Sequence, residues 1–354
     1  MNITEGIQKL VEGNDLDENE AHGYMVEIVS GRATSAQIAS FLTALRIKGE
    51  TVQEITSFAK VMRDNSLRIN PRVEGRLVDT CGTGGDRVKT FNVSTAAALV
   101  IAGAGLHVAK HGNRSVTSKS GSADVLENLG VNLDVSPSKT EEMIQQIGIG
   151  FMFAPKWHPA MKYASEPRRE IGMRTVFNVL GPLTNPALVD SQVLGVYDES
   201  LVEPLAEVAR NLGSKEAMVV HGTGGIDEIS TFGPTKVAWV RNGAISISEL
   251  DPGTLGVTKV RPEDMGGGGP EHNASLIFKV LRNGIKSDAP IGEMILVNGA
   301  AGIIVGGLCD SFPDAIEVAR QSIDSGTALT KLKDLVSASG GDPSRIEKLG
   351  DEIA

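Results

Sequence analysis

Four segments of this chain concentrate residues that could handle an anion. The first is Asp79-Thr80-Cys81-Gly82-Thr83-Gly84-Gly85-Asp86, followed by Thr90-Phe91-Asn92-Val93-Ser94-Thr95. An apolar run precedes it and a helical pattern follows, giving strand, glycine-rich turn and helix start in that order. Glycines let the backbone approach an anion closely, and N–H groups at the turn and helix start can bind it. The segment has neither the Gly-Lys-Ser/Thr of a Walker loop nor a G-x-G-x-x-G dinucleotide fingerprint. A plain tight turn is the alternative. Asp86 would repel phosphate, so it suits a sugar hydroxyl or a metal-bound water better.

The second segment, Lys110-His111-Gly112-Asn113-Arg114-Ser115 through Lys119-Ser120-Gly121-Ser122-Ala123-Asp124, packs three cations, five hydroxyls and two glycines ahead of a helix. That density of donors suits a polyphosphate. Alone it reads equally as a solvated loop with a cap at Ser122. The glycine loop one βα unit upstream favours the phosphate reading. The third, Gly225-Ile226-Asp227-Glu228, sits past a strand end, where parallel sheets place ligands. Paired carboxylates beside a polyphosphate are the hard oxygen donors that Mg²⁺ requires, although such a pair is commonly just an exposed turn. The fourth runs from Trp157-His158 through Arg168, Arg169 and Arg174 to Pro186. Arginine reads carboxylates with a planar fork, and three within seven residues hint at an anion-facing surface. His111 and His158 could equally be structural, since neither has a Ser or Cys nucleophile pattern around it.

These segments need a scaffold. Residues 1–71 show helical patterning only. Ile3, Ile7, Leu10 and Val11 share one face, and Asp17/Glu20, Thr34/Gln37 and Thr51/Glu54 open three further helices as capping pairs. After Asn70-Pro71 short Val/Ile-rich runs alternate with helical stretches, as in a mainly parallel sheet. Candidate strands are Leu77–Thr80, His107–Ala109, Phe151–Ala154, Gln192–Tyr197, Ala217–His221 and Val237–Val240. Helices are expected at Thr95–Ala104, Ala123–Leu129, Thr140–Ile147, Leu201–Leu212, Asn273–Leu281, Glu293–Val305, Phe312–Ser325 and Leu329–Ser339. The fold class is therefore α/β, a small helical domain over 1–71 and a large α/β domain over 72–354. The run Gly266–Gly269 reads as a disordered surface loop outside the function.

With 354 residues the chain is long enough for two such domains. Its net charge of −10 argues against broad attraction to nucleic acid or anionic membrane, so an anionic ligand needs a local positive site. Cys81 and Cys309 have no partner at metal-ligand spacing and suit a reducing compartment, here the cytoplasm. The N-terminus lacks the basic and apolar regions of a signal peptide, and no apolar stretch reaches membrane-span length.

Gly-Thr-Gly-Gly-Asp at 82–86, Phe-Asn-Val-Ser-Thr at 91–95, Lys-His-Gly-Asn-Arg-Ser at 110–115 and the Arg168–Pro186 stretch together resemble anthranilate phosphoribosyltransferase of tryptophan biosynthesis. The resemblance covers nearly the whole chain. It implies a cytoplasmic homodimer that needs Mg²⁺, and a helical domain hinged to an α/β domain of the nucleoside phosphorylase/phosphoribosyltransferase kind. Part of the helical domain would return from 163–186.

Carried over by motif, Gly82, Gly85, Asp86, Thr90, Asn92, Val93, Ser94, Thr95, Lys110, Ser118 and Ser122 would bind 5-phosphoribosyl 1-pyrophosphate. Ser94, Asp227 and Glu228 would hold Mg²⁺, while Gly82, His111, Asn113, His158 and Arg168 would meet anthranilate. The catalytic roles would fall to Lys110, Arg168, Asp227 and Glu228. Arg87 departs from the smaller residue expected there, and the 266–269 run is blander than the family loop. Two rival readings remain at this point, a pyrimidine nucleoside phosphorylase and an inactive transferase-like protein that binds nucleic acid. Gly-Thr-Gly-Gly-Asp followed by Lys-His-Gly-Asn-Arg argues against the first, and the charge balance with an intact Asp227-Glu228 pair against the second.

Overall fold

The computed structural model describes residues 2–85, 88, 90–115, 119–257 and 260–351. Asp86, Arg87 and Ser118, singled out above, lie outside the described residues.

The chain opens with helices α1 (Ile3–Val11), α2 (Glu18–Val29), α3 (Ser35–Lys48) and α4 (Val52–Asp64). Their starts follow from the capping chemistry. Asp17, Thr34 and Thr51 each accept the backbone N–H three residues on, and Glu20, Gln37 and Glu54 reach back to complete the box. Glu54 has a second use. Wholly buried, it also accepts from the Leu16 N–H at 2.9 Å and the Lys48 ammonium at 2.9 Å, tying α4 to α3 and to the α1–α2 connection.

The α/β part contains β1 (Leu77–Gly82), α5 (Val93–Gly103), β2 (His107–Gly112), α6 (Ser122–Asn128), α7 (Pro137–Ile147) and β3 (Ile149–Phe153). Three helices, α8 (Ala154–Trp157), α9 (Lys162–Ile171) and α10 (Phe177–Leu183), then lead to β4 (Ser191–Gly195), α11 (Val202–Asn211), β5 (Glu216–Gly222), β6 (Thr235–Arg241) and β7 (Ala244–Leu250). The tail is helical: α12 (Pro270–Leu281), α13 (Pro290–Val305), α14 (Phe312–Asp324), α15 (Thr327–Ala338) and α16 (Ser344–Asp351). The seven strands form one sheet in the order β3-β2-β1-β4-β5-β6-β7. The first five strands are mutually parallel, while β6 pairs antiparallel with β5 and β7 antiparallel with β6. The order reverses between β1 and β4, and the C-terminal ends of those strands form the switch point where open parallel sheets place ligands.

One face of the sheet packs on α5, α13 and α15, with α14 behind them, around an apolar core that takes in almost all of α5 and α13. The other face shares a core with α11 and with the N-terminal helices. Helix α9 lies against α2 and α3, close enough that a Cβ on Gly31 would run into the Tyr163 ring at 2.5 Å. Ala164, Val176, Phe177, Val179, Leu180 and Leu183 belong to that same apolar cluster. Arg63 fastens α4 to the α/β part, donating to the Leu183 carbonyl at 2.8 Å and the Leu212 carbonyl at 3.3 Å. Both carbonyls stand at helix C-termini, where a cation is favoured. Among the described residues, no helix is long and apolar enough to cross a membrane.

Candidate active site

The sheet's switch point opens into a cavity of about 300 Å³. Gly82, Gly85, Thr90, Asn92, Ser94, Lys110, His111, Asn113, Ser122, Arg168, Asp227 and Glu228 all line it, residues drawn from every segment singled out above. Val93 and Thr95 do not. Both side chains are buried in the packing around α5. His158 lies behind His111, with ring centroids 5.0 Å apart.

The glycine turn is shaped by what lies on it. Gly82 and Gly195 pair across β1 and β4, and a Cβ on either would collide with Asp227. The 226–229 turn can therefore lie flush on the two strand ends. Asp227 Oδ2 accepts the Gly84 N–H at 2.7 Å, and Glu228 Oε1 accepts the Ser94 N–H at 3.1 Å. Ser94 is in the first turn of α5, where partial positive charge accumulates. The carboxylate pair and the Ser94 hydroxyl thus stand together as hard oxygen donors. Mg²⁺ commonly uses one or two carboxylates and completes its shell with phosphate oxygens and water, so these residues fit it.

Lys110 enters from β2 and is buried. Its ammonium donates to the Thr80 carbonyl at 2.5 Å and to Ser94 Oγ at 3.4 Å. Burial pulls its pKa down from the ordinary lysine value, against the opposing charges of Asp79 and Glu228. Asp79 is itself buried, fastened by Asn185 Nδ2 at 2.8 Å and the His111 N–H at 3.3 Å. The other cations of the second segment are used differently. The Arg114 guanidinium is engaged by Asp124 and Glu127 and stacks on Phe153, and Lys119 is exposed. Ser122 is not the cap expected of it: the helix begins at Ser122 with Gly121 as N-cap, and Asp124 accepts the Ser115 and Gly121 N–H groups.

Across the cavity Arg168 projects from α9 over the Phe177 ring at 5.0 Å. Among the described residues no carboxylate pairs with its guanidinium, and burial lowers its pKa. His111 is bonded to the Gly181 backbone and His158 to the Thr184 backbone, and burial pushes them down to about 3 and about 4. Both imidazoles are therefore neutral near pH 7, and Nε2 of each is buried without a partner among the described residues. The three arginines of the fourth segment separate. Arg169 is exposed beside Glu166. The Arg174 guanidinium carbon stands over the Tyr197 ring, 3.7 Å from its centroid, and Arg174 donates to the Gly85 carbonyl at 2.7 Å.

The run 266–269 overturns the expectation of a disordered surface loop. Gly266 forms an antiparallel bridge with Thr90, and a Cβ on Gly267 would meet the Thr90 carbonyl oxygen at 2.6 Å. The Gly268 N–H donates to Asn273 Oδ1 at 2.7 Å, and Asn273 Nδ2 donates to Asn92 Oδ1 at 2.9 Å. The missing side chains let this backbone press against Thr90–Phe91 and brace the first loop. Asn273, Arg174, Asn178 and Gly181 are site or supporting residues that sequence reasoning did not assign. The last three lie in a segment it had marked, whereas nothing local marked Asn273.

A helical bundle joined to an α/β unit with phosphate-type loops at the switch point is the plan of a glycosyl transferase family. Residues 4–66 match the family's helical bundle domain and residues 74–329 its a/b domain. The chain is 52% identical over 339 residues to the anthranilate phosphoribosyltransferase of Methanocorpusculum labreanum, covering 96% of this chain and 98% of that one. It is 51% identical over 334 residues to that of Acetivibrio thermocellus, covering 94% and 96%. The crystal structure of the Thermus thermophilus enzyme superposes with TM-score 0.88 at 38% identity, over 95% of this chain and 99% of that one. The Saccharomyces cerevisiae enzyme in complex with PRPP and Mg gives TM-score 0.88 at 30% identity, over 96% and 98%. The chain belongs to the anthranilate phosphoribosyltransferase family. Neither the nucleoside phosphorylase nor the nucleic-acid reading is favoured.

Proposed function

We propose that this chain transfers the phosphoribosyl group of 5-phosphoribosyl 1-pyrophosphate to the amine of anthranilate, using the cavity just described. One observation carries the reading: a guanidinium with no carboxylate partner among the described residues and a set of phosphate-type donors face one another across a single space. Arg168 would take the anthranilate carboxylate through its planar fork. Asn113 and the neutral His111–His158 pair would border the aromatic ring. Gly82, Gly85, Thr90, Asn92, Ser94, Lys110 and Ser122 would surround the phosphoribosyl pyrophosphate, joined by Asp86 and Ser118 from the motif. Val93 and Thr95 would contribute as the buried footing of α5, which keeps its N-terminus in place.

The amine nitrogen forms a bond to the anomeric carbon while the carbon–oxygen bond to pyrophosphate breaks, its electron pair leaving with pyrophosphate. The configuration inverts, and the new nitrogen then gives its proton to water, readily because it is an aromatic amine. No strong general base is needed, and none stands in the cavity among the described residues. Ser94, Asp227 and Glu228 would hold Mg²⁺, which when bound supplies positive charge against the leaving pyrophosphate. Lys110 and the backbone N–H groups add fixed donors there, and Arg168 holds the amine in line.

The enzyme would work as a cytoplasmic homodimer. Val11, Ile47 and Tyr163, large apolar side chains left open on α1, α3 and α9, support association through the helical part. Phosphorus NMR tests the reaction against its nearest rival. Pyrophosphate should accumulate only when anthranilate and phosphoribosyl pyrophosphate are both present. Phosphorolysis of thymidine or uridine with inorganic phosphate would instead identify a nucleoside phosphorylase.

A further inference from the structure

The two carboxylates read above as Mg²⁺ ligands also do something to the protein's own phosphate donors. Asp227 Oδ2 sits on the Gly84 N–H at 2.7 Å and Glu228 Oε1 on the Ser94 N–H at 3.1 Å. Gly84 and Gly85 are consecutive left-handed residues, φ 70° and 80°, the kind of turn whose N–H groups converge on an anion. Ser94 lies in the first turn of the 11-residue α5. Both donors are ones a phosphate would seek, and in this structure both are satisfied by carboxylates from the far end of β5. Asp227 is held there closely, because Gly82 and Gly195 leave no room for a Cβ beneath it.

We propose that Asp227 and Glu228 act as built-in anions that guard the phosphate cradle. A polyphosphate arriving without a cation must displace two charge-assisted hydrogen bonds and then lie beside two freed negative charges. A polyphosphate arriving with Mg²⁺ gives the carboxylates a new partner as it takes over their N–H groups. The pair therefore rejects the bare substrate as well as holding the metal. This rests on the phosphoribosyl pyrophosphate reading of the cavity and adds to it a rule for which ionic form is admitted.

The two roles differ in sign, which makes the proposal testable with inorganic pyrophosphate as the probe. Calorimetric titrations would compare wild type, Glu228→Gln and Asp227→Asn, each in EDTA and each with excess Mg²⁺. The amides keep the hydrogen-bonding shape and remove the charge. In EDTA at least one variant should bind pyrophosphate about tenfold more tightly than wild type, the scale of one charge-assisted hydrogen bond. With Mg²⁺ the same variant should bind more weakly than wild type. Metal-free affinity that is unchanged or reduced in both variants overturns the proposal while leaving a plain metal-ligand role intact. Wild type that fails to bind pyrophosphate even with Mg²⁺ overturns the phosphate reading along with it. Thermal melts identify a variant that does not fold, and the other carboxylate then decides.

Discussion

Gly222→Ala separates the position of the acidic turn from its chemistry, because it adds one methyl group and removes nothing. Gly222 ends β5, and its N–H donates to the Ile226 carbonyl at 2.9 Å to start the turn that carries Asp227 and Glu228. Its φ is not positive, so alanine brings no backbone strain. A Cβ there would meet the Glu228 carbonyl oxygen at 2.6 Å and Ile226 Cγ1 at 2.7 Å, where ordinary contact begins at 3.4 Å. The turn must therefore yield by about 0.8 Å, the shortfall between those distances. Displacements near 1 Å can cost roughly 100-fold in turnover, so kcat should fall by a factor of about 10–100. Overpacking of this kind costs ~1–3 kcal/mol, which lowers Tm by a few degrees and leaves the protein folded. The assay is kcat against Mg²⁺ concentration, with KM for anthranilate followed in parallel. Half-activation should shift to higher Mg²⁺ while KM for anthranilate stays put, since Arg168 stands on α9. A lowered Tm with wild-type kcat and Mg²⁺ response would refute the claim that this turn must be held closely.

The remaining predictions concern other parts of the cavity. His111 and His158, depressed to about 3 and about 4 against 6.5 when unfolded, give stability that is present above pH 6.5 and lost as pH falls towards those values. At pH 5 each should cost about 2 kcal/mol relative to pH 7.5. Urea unfolding at both pH values should show a smaller acid loss in His111→Asn and His158→Asn, and an equal loss would contradict the burial argument. Arg168→Ala should raise KM for anthranilate by roughly 10- to 150-fold, the loss of ~1.5–3 kcal/mol for a charge-assisted pair. Equal damage to both substrates would assign Arg168 to helix packing instead. Arg174→Ala frees the Gly85 carbonyl and should raise KM for phosphoribosyl pyrophosphate selectively; unchanged kinetics would make that hydrogen bond incidental.

Much of the fold is readable because local chemistry and tertiary structure agree. The capping boxes at Asp17, Thr34 and Thr51 follow from side chains three residues apart, and the structure forms all three. Strands β1 and β2 run further than their apolar residues suggest, into the loops themselves. Gly82 and Gly112 still pair with Gly195 and Phe153, and that depends on neighbouring strands. Strand β7 escapes because it is a largely exposed edge strand, whose short Ile-Ser alternation buries little. Helices α9 and α10 escape because each contains a proline, Pro167 and Pro182, which ordinarily signals a break. In the site, glycine loops, cations and the acidic pair announce themselves by type and spacing. The braces do not. Asn273 reaches Asn92 across 181 positions, and Arg174 reaches Gly85 across 89, so neither contact has a local signature.

The central claim is that one cavity joins anthranilate to the phosphoribosyl group. Anthranilate is fluorescent, and its loss can be followed continuously in a cuvette with purified protein, phosphoribosyl pyrophosphate and Mg²⁺. The account predicts a decay that needs all three components, stops with EDTA, and yields one pyrophosphate and one phosphoribosyl-anthranilate for each anthranilate consumed. Stable fluorescence at high enzyme concentration with every component present would contradict it.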